Sequence, residues 1–161
     1  APVGRQWFGL TFRDPEERWR GVNQAEPALQ AFLDSELQRR QLPPSALALV
    51  GFSQGTMMSL HAGMRRPAPI GAIVGYSGMF IMPGDGPPET VADEVVSRPP
   101  VLLIHGDRDE LIPIQALFRA SSSLAQLDVP VEWHISKGVG HGIDEEGLRH
   151  GGEFLARRLG V

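Results

Sequence analysis

Four short apolar runs recur along this chain, separated by segments with helical spacing, and that alternation restricts the possible folds more than any other feature. Ala46-Leu47-Ala48-Leu49-Val50, Ile70 to Tyr76, Val101-Leu102-Leu103-Ile104 and Val131-Glu132-Trp133-His134-Ile135 read as strands. The first is continuously apolar, as expected of a strand buried on both faces. Ala25, Ala28, Leu29, Phe32, Leu33 and Leu37 share one helix face, opened by a capping arrangement of Asn23 and Glu26. A second helix is expected from near Gln54 to a stop before Pro67. Ile114, Leu117, Phe118, Ser121 and Leu124 mark a third, and Glu145 to Leu159 a closing helix weakened by Gly151-Gly152. Strands alternating with helices imply an α/β fold, a three-layer αβα arrangement around a mainly parallel sheet joined by right-handed crossovers.

The 161 residues predict a single domain, 1–161, large enough to bury its own core. A net charge of -4, with Arg39-Arg40, Arg65-Arg66 and Arg157-Arg158 near helix ends where they complement the dipole, argues against a nucleic-acid partner. With no cysteine, thiol chemistry is excluded and a nucleophile must be an oxygen or a lysine. The apolar stretches fall far short of the ~20 residues of a membrane span, and the start Ala1-Pro2-Val3-Gly4 lacks a basic region followed by an apolar one. The expectation is a soluble, cytoplasmic protein. The segment Ser77 to Pro100, rich in Gly and Pro, is long for a connection and is expected to hold a short helix at Val91 to Val96.

Chemistry enters at Gly51-Phe52-Ser53-Gln54-Gly55, a G-x-S-x-G sequence between a strand and a helix. A serine on such a turn stands out from the sheet, and glycines on either side are expected to relieve clashes across it. The N–H of Gln54, at the positive helix end, is expected to face the oxygen on which charge develops. A serine hydroxyl needs a base, and the base needs an orienting acid. His141, in the flexible loop Lys137-Gly138-Val139-Gly140-His141-Gly142 after the last strand, can hang over the sheet edge. His61, His134 and His150 each read as structural. His105, ending a strand, is expected to shape the acid-bearing loop. Asp107 and Asp109 both follow that strand, and spacing leaves either as the orienting acid.

Taken in order, Gly51-Phe52-Ser53-Gln54-Gly55, His105-Gly106-Asp107-Arg108-Asp109-Glu110-Leu111-Ile112-Pro113 and Gly140-His141-Gly142-Ile143-Asp144 resemble the phospholipase/carboxylesterase group of α/β-hydrolases, which includes the acyl-protein thioesterases. Gly4-Arg5-Gln6-Trp7-Phe8 also looks like a segment these enzymes carry. The resemblance implies an α/β-hydrolase fold and assigns the acid to Asp109, giving a catalytic set of Ser53, Asp109 and His141. It implies an esterase acting without metal or cofactor through an acyl-enzyme on small acyl esters, with thioesters and lysophospholipids among the candidates. Such enzymes also carry further N-terminal strands and an H-G-x-G loop that donates a second oxyanion N–H, and neither is in this sequence. The expectation is therefore a C-terminal portion, completed by a separate N-terminal segment or by a homodimer.

Substrate is expected above the C-terminal edge of the sheet. Its apolar walls are sought in Trp7 and Phe8, in Met79, Phe80 and Met82, and in Leu111 and Ile112, whereas Met57, Met58 and Met64 are expected in the core. Two other readings stand beside the esterase: a weakly active or non-catalytic fragment lacking the oxyanion loop, and a peptidase or acyltransferase on the same fold.

Overall fold

The computed structural model describes residues 5–11 and 14–161, so the expectations that fell on Ala1 to Gly4 lie outside the described residues. Among the described residues four strands, β1 (Ala48–Phe52), β2 (Ala72–Tyr76), β3 (Val101–Gly106) and β4 (Val131–Ser136), form one parallel sheet in the order β1-β2-β3-β4. Four α-helices accompany them: α1 (Pro15–Arg40), α2 (Gln54–Met64), α3 (Gln115–Gln126) and α4 (Glu145–Leu159). The 3₁₀ segment Pro88–Glu94 occupies the long connection after β2, close to the short helix expected there.

One sheet face carries α2 and α3, where Leu60, Met64, Ile73, Leu103, Leu117 and Leu124 are packed together. Met57, Met58 and Ala62 of α2 continue this layer outward to Val22, Leu29 and Leu33 of α1. The opposite face is thinner: Phe154 of α4 packs on Ala72, Val74, Tyr76, Leu102 and Ile104. Helices therefore cover both faces, as three layers require.

Two sequence expectations are corrected here. α1 begins at Pro15, not after Asn23, because the Asp14 carboxylate caps it by accepting from the Glu16 N–H at 2.9 Å, with proline at the first position. Asn23 instead donates to Trp19 O within the helix. β1 is not buried on both faces, since Val50 is 59% exposed and Phe52 41%. By register these residues lie beside Val74 and Tyr76, on the face that α4 covers. α4 packs over β2, β3 and β4, which leaves the flank of β1 bare.

Candidate active site

The rim of the sheet gathers the C-terminal ends of β1, β2 and β3. Ser53 follows β1 with φ 55 and ψ -116, a conformation that costs a non-glycine residue on the order of 1–3 kcal/mol and persists only where its surroundings enforce it. They do so here. The Ser53 N–H donates to Tyr76 O at 2.9 Å, and the Thr56 hydroxyl lies 2.9 Å from both Gly51 O and Tyr76 O, locking the first turn of α2 to two strands. A side chain at Gly51 would collide with the backbone of Gly55 and Thr56. Gly55, expected to share that constraint, faces open space, so only the first glycine of the motif is sterically required.

Asp109 is buried after β3. Its Oδ1 accepts from the N–H groups of Leu111 (2.9 Å) and Ile112 (2.8 Å), while its Oδ2 lies 2.8 Å from His141 Nδ1. Burial pushes the carboxyl pKa up, but the Ile112 N–H, the His141 imidazole and the Leu111 N–H together hold it below its ordinary value. Asp107, the alternative that spacing left open, points elsewhere: its Oδ1 accepts from the Gly138 N–H at 2.6 Å and pins the start of the His141 loop. His105 shapes the acid loop as expected, its Nε2 lying 2.8 Å from Ile112 O.

The His141 ring rests beside Phe52, with ring centroids 4.9 Å apart, which puts the imidazole next to the residue preceding Ser53. Among the described residues the Ser53 hydroxyl makes no hydrogen bond with it; such bonds are often long before substrate binds. Gly106 lets the loop come this close, because a Cβ there would strike the carbonyls of Val139 and Gly140. Ser77, which sequence reasoning missed, holds the other side: fully buried with φ 47, it donates to Gly142 O at 3.2 Å. A serine just after a strand carries no signal that separates it from an ordinary loop residue.

Gln54 acts twice. At the first position of α2 its N–H has no helical partner and is free for an oxyanion. Its side chain accepts from the Trp7 N–H (3.1 Å) and donates to Phe8 O (2.9 Å), fastening that segment to the Ser53 turn.

The expected apolar walls divide. Met79, Phe80 and Met82 line an open groove of about 850 Å³ that continues past Pro113, Ala116, Phe118 and Arg119. Trp7 and Leu111 are exposed but do not line it. Phe8 and Ile112 are corrected to core residues, because both are buried in the layer between α1 and α2, with Phe8 against Gly21. The expected core positions Met57, Met58 and Met64 are fully buried.

A profile of the Phospholipase/Carboxylesterase family matches residues 1–159. The chain belongs to that family. It is 31% identical over 121 residues to acyl-protein thioesterase 1 of Gibberella zeae, covering 72% of this chain and 49% of the relative. It is 26% identical over 148 residues to esterase YpfH of Escherichia coli, covering 92% and 60%. Among solved structures, that of esterase PE8 superposes with a TM-score of 0.89 at 39% identity, covering 97% of this chain and 71% of that one. The fold is thus that of the α/β-hydrolase esterases. The chain spans about half to three fifths of the curated relatives named here, and no described helix is long and apolar enough to cross a membrane.

Proposed function

We propose that this chain carries the catalytic residues of a serine esterase, with Ser53 as nucleophile, His141 as general base and Asp109 orienting the imidazole. The observation that carries the reading is the 2.8 Å contact between His141 Nδ1 and Asp109, in a loop packed against the strained serine turn. With Nδ1 engaged by the carboxylate, Nε2 is the nitrogen left to take the Ser53 proton as Oγ attacks the acyl carbonyl. The Gln54 N–H receives the developing oxyanion; one such donor is worth about 2.7–4 kcal/mol. The protonated imidazole then releases the alcohol, and water repeats the sequence in reverse roles to free the acid. No step requires a cofactor.

The substrate of this reading is a small acyl ester; the groove at Met79, within the size range of small-molecule sites, is the candidate for its acyl chain, although neither Ser53 nor His141 lines it and its Phe80 and Met82 are themselves packed into the core. Names among the relatives extend the candidates to thioesters. The bare flank of β1 supports a further reading, that the whole protein lays another segment or a second copy along Val50 and Phe52. We also assign it to the cytoplasm.

Labelling with a fluorophosphonate probe tests the assignment. Ser53→Ala removes the label, and His141→Gln slows it by several orders of magnitude; a Ser53→Ala protein that still reacts assigns the nucleophile elsewhere.

A further inference from the structure

Away from the catalytic rim, three donor side chains converge where α4 crosses β4. His134 comes from the middle of β4, while Glu146 and His150 stand one turn apart on α4. One ligand atom from each lies within 4.8 Å of the others. Glu146 Oε1 is 4.0 Å from His134 Nε2 and 3.6 Å from His150 Nε2, too far for hydrogen bonds. His134 Nε2 is buried and has no hydrogen-bond partner among the described residues. A buried imidazole nitrogen facing a carboxylate and a second imidazole, with no proton shared between them, is the arrangement a cation completes.

We propose that His134, Glu146 and His150 form a binding site for a borderline divalent cation of the zinc type, separate from the catalytic residues, that ties α4 to β4. Two imidazoles and one carboxylate suit zinc, whereas calcium and magnesium call for mostly oxygen ligands. With metal–ligand distances of about 2.0–2.2 Å, tetrahedral geometry sets ligand atoms about 3.4 Å apart. The carboxylate–imidazole separations exceed that by a few tenths of an ångström, within the reach of side-chain rotation. The two rings, now 4.0 Å apart and inclined by 33°, splay as they bind. Arg149, whose Nη2 is 3.4 Å from His150 Nε2, must swing away; Glu153, already paired with it at 2.9 Å, retains it. Three protein ligands leave a position for water.

The position gives the site a consequence. β4 ends at Ser136 and α4 starts at Glu145, and the segment between them carries His141. A cation joining His134 to Glu146 and His150 clamps both ends of that segment.

Zinc chloride titrated into the chelator-stripped protein, followed by calorimetry and thermal unfolding, tests this without recourse to activity. One equivalent binds, and the unfolding midpoint rises with free zinc as linkage requires, while calcium chloride at equal concentration leaves it unmoved. Glu146→Gln and His150→Gln, both at partly or fully exposed positions of α4, keep the zinc-free midpoint and weaken binding by at least about tenfold, since even outer-shell changes cost 10- to 100-fold. His141→Gln retains it. The proposal is overturned by absence of binding, by affinity unchanged in both α4 variants, or by loss in His141→Gln, which locates the zinc at the catalytic histidine.

Discussion

At the rim of the sheet His141 is bonded to Asp109 at 2.8 Å, whereas beneath α1 His61 Nε2 stands 3.3 Å from Glu26 and neither ring nitrogen forms a hydrogen bond among the described residues. Both pairs bring an imidazole to a carboxylate, and their surroundings separate them. Asp109 is fixed by two backbone N–H groups and keeps its charge although buried, so it can hold the histidine that, in the mechanism we propose, gains a proton during turnover. His61, on α2, is buried against α1, where its ring meets Trp19 in a T-shaped arrangement with centroids 5.6 Å apart. Burial first, and then the charge of Arg65, push its pKa down to about 3, so it stays neutral in the fold. A histidine near an acid becomes a base when the acid is pre-ordered by backbone donors and the ring remains partly open to solvent.

Asp109→Asn attacks the rim pair directly and carries the largest expected effect. The amide can still fill the space, but it presents an N–H to Nδ1, favours the wrong tautomer, and lowers kcat for an activated ester by about 10⁴-fold. A loss under tenfold would mean that Asp109 does not orient the base.

Acid separates the pairs next. His61 binds a proton in the unfolded chain near its ordinary value of 6.5 but in the fold only near 3. Its neutral burial therefore contributes stability that is fully present above about 6.5 and is lost as pH falls toward 3, on the order of a few kcal/mol in total. Asp109, its own pKa held below the usual value, adds to the loss only at the acid end of that window. Denaturant midpoints measured from pH 7 to pH 4 fall steadily in the wild type, and His61→Gln flattens that slope. A flat wild-type profile would show that His61 carries its proton inside the fold.

The rim pair is of use only if Ser53 is held in its strained turn, and there the two motif glycines differ. Gly51→Ala drives a methyl group into backbone that cannot rotate away, for an expected loss of about 1–3 kcal/mol in stability. Gly55→Ala meets nothing within 4 Å and leaves stability unchanged or slightly higher, because alanine favours the helix. Paired urea titrations check both; equal losses would refute the asymmetry.

Much of this was legible in the sequence. α4 falls at the expected residues and β4 within one residue of them, although Trp133 and Leu148, both counted there as apolar signals, are exposed. The Ser53, Asp109 and His141 assignment came from motif order and family resemblance, and spacing by itself left Asp107 open. The exposure of β1 was hidden, because Val50 and Phe52 are bare only through where α4 lies, a relation between segments nearly a hundred residues apart in the chain. Ser77 and the Gln54 side chain were hidden for the same reason: each acts through contacts with backbone atoms distant in the chain, one for Ser77 and two for Gln54. The start of α1 was misread because Asn23 and Asp14 are both competent caps, and the choice rested on whether Arg18 and Val22 had a surface to pack against.

Glu26→Gln is the smallest change and the sharpest test of the rear pair. If His61 is neutral, Glu26 has no ion pair to lose. Its Oε1 accepts from Gln30 Nε2 at 3.0 Å, a contact the glutamine carbonyl reproduces, so stability at pH 7 shifts by no more than about 0.5 kcal/mol. Were His61 protonated and paired, its folded pKa would be raised, its contribution would instead fade as pH rises, and removing Glu26 would strand a buried cation at a cost of about 3–5 kcal/mol. The two outcomes differ in size and in the sign of the pH slope, so a midpoint series on this one variant decides whether the rear histidine is an apolar filler or a hidden charge.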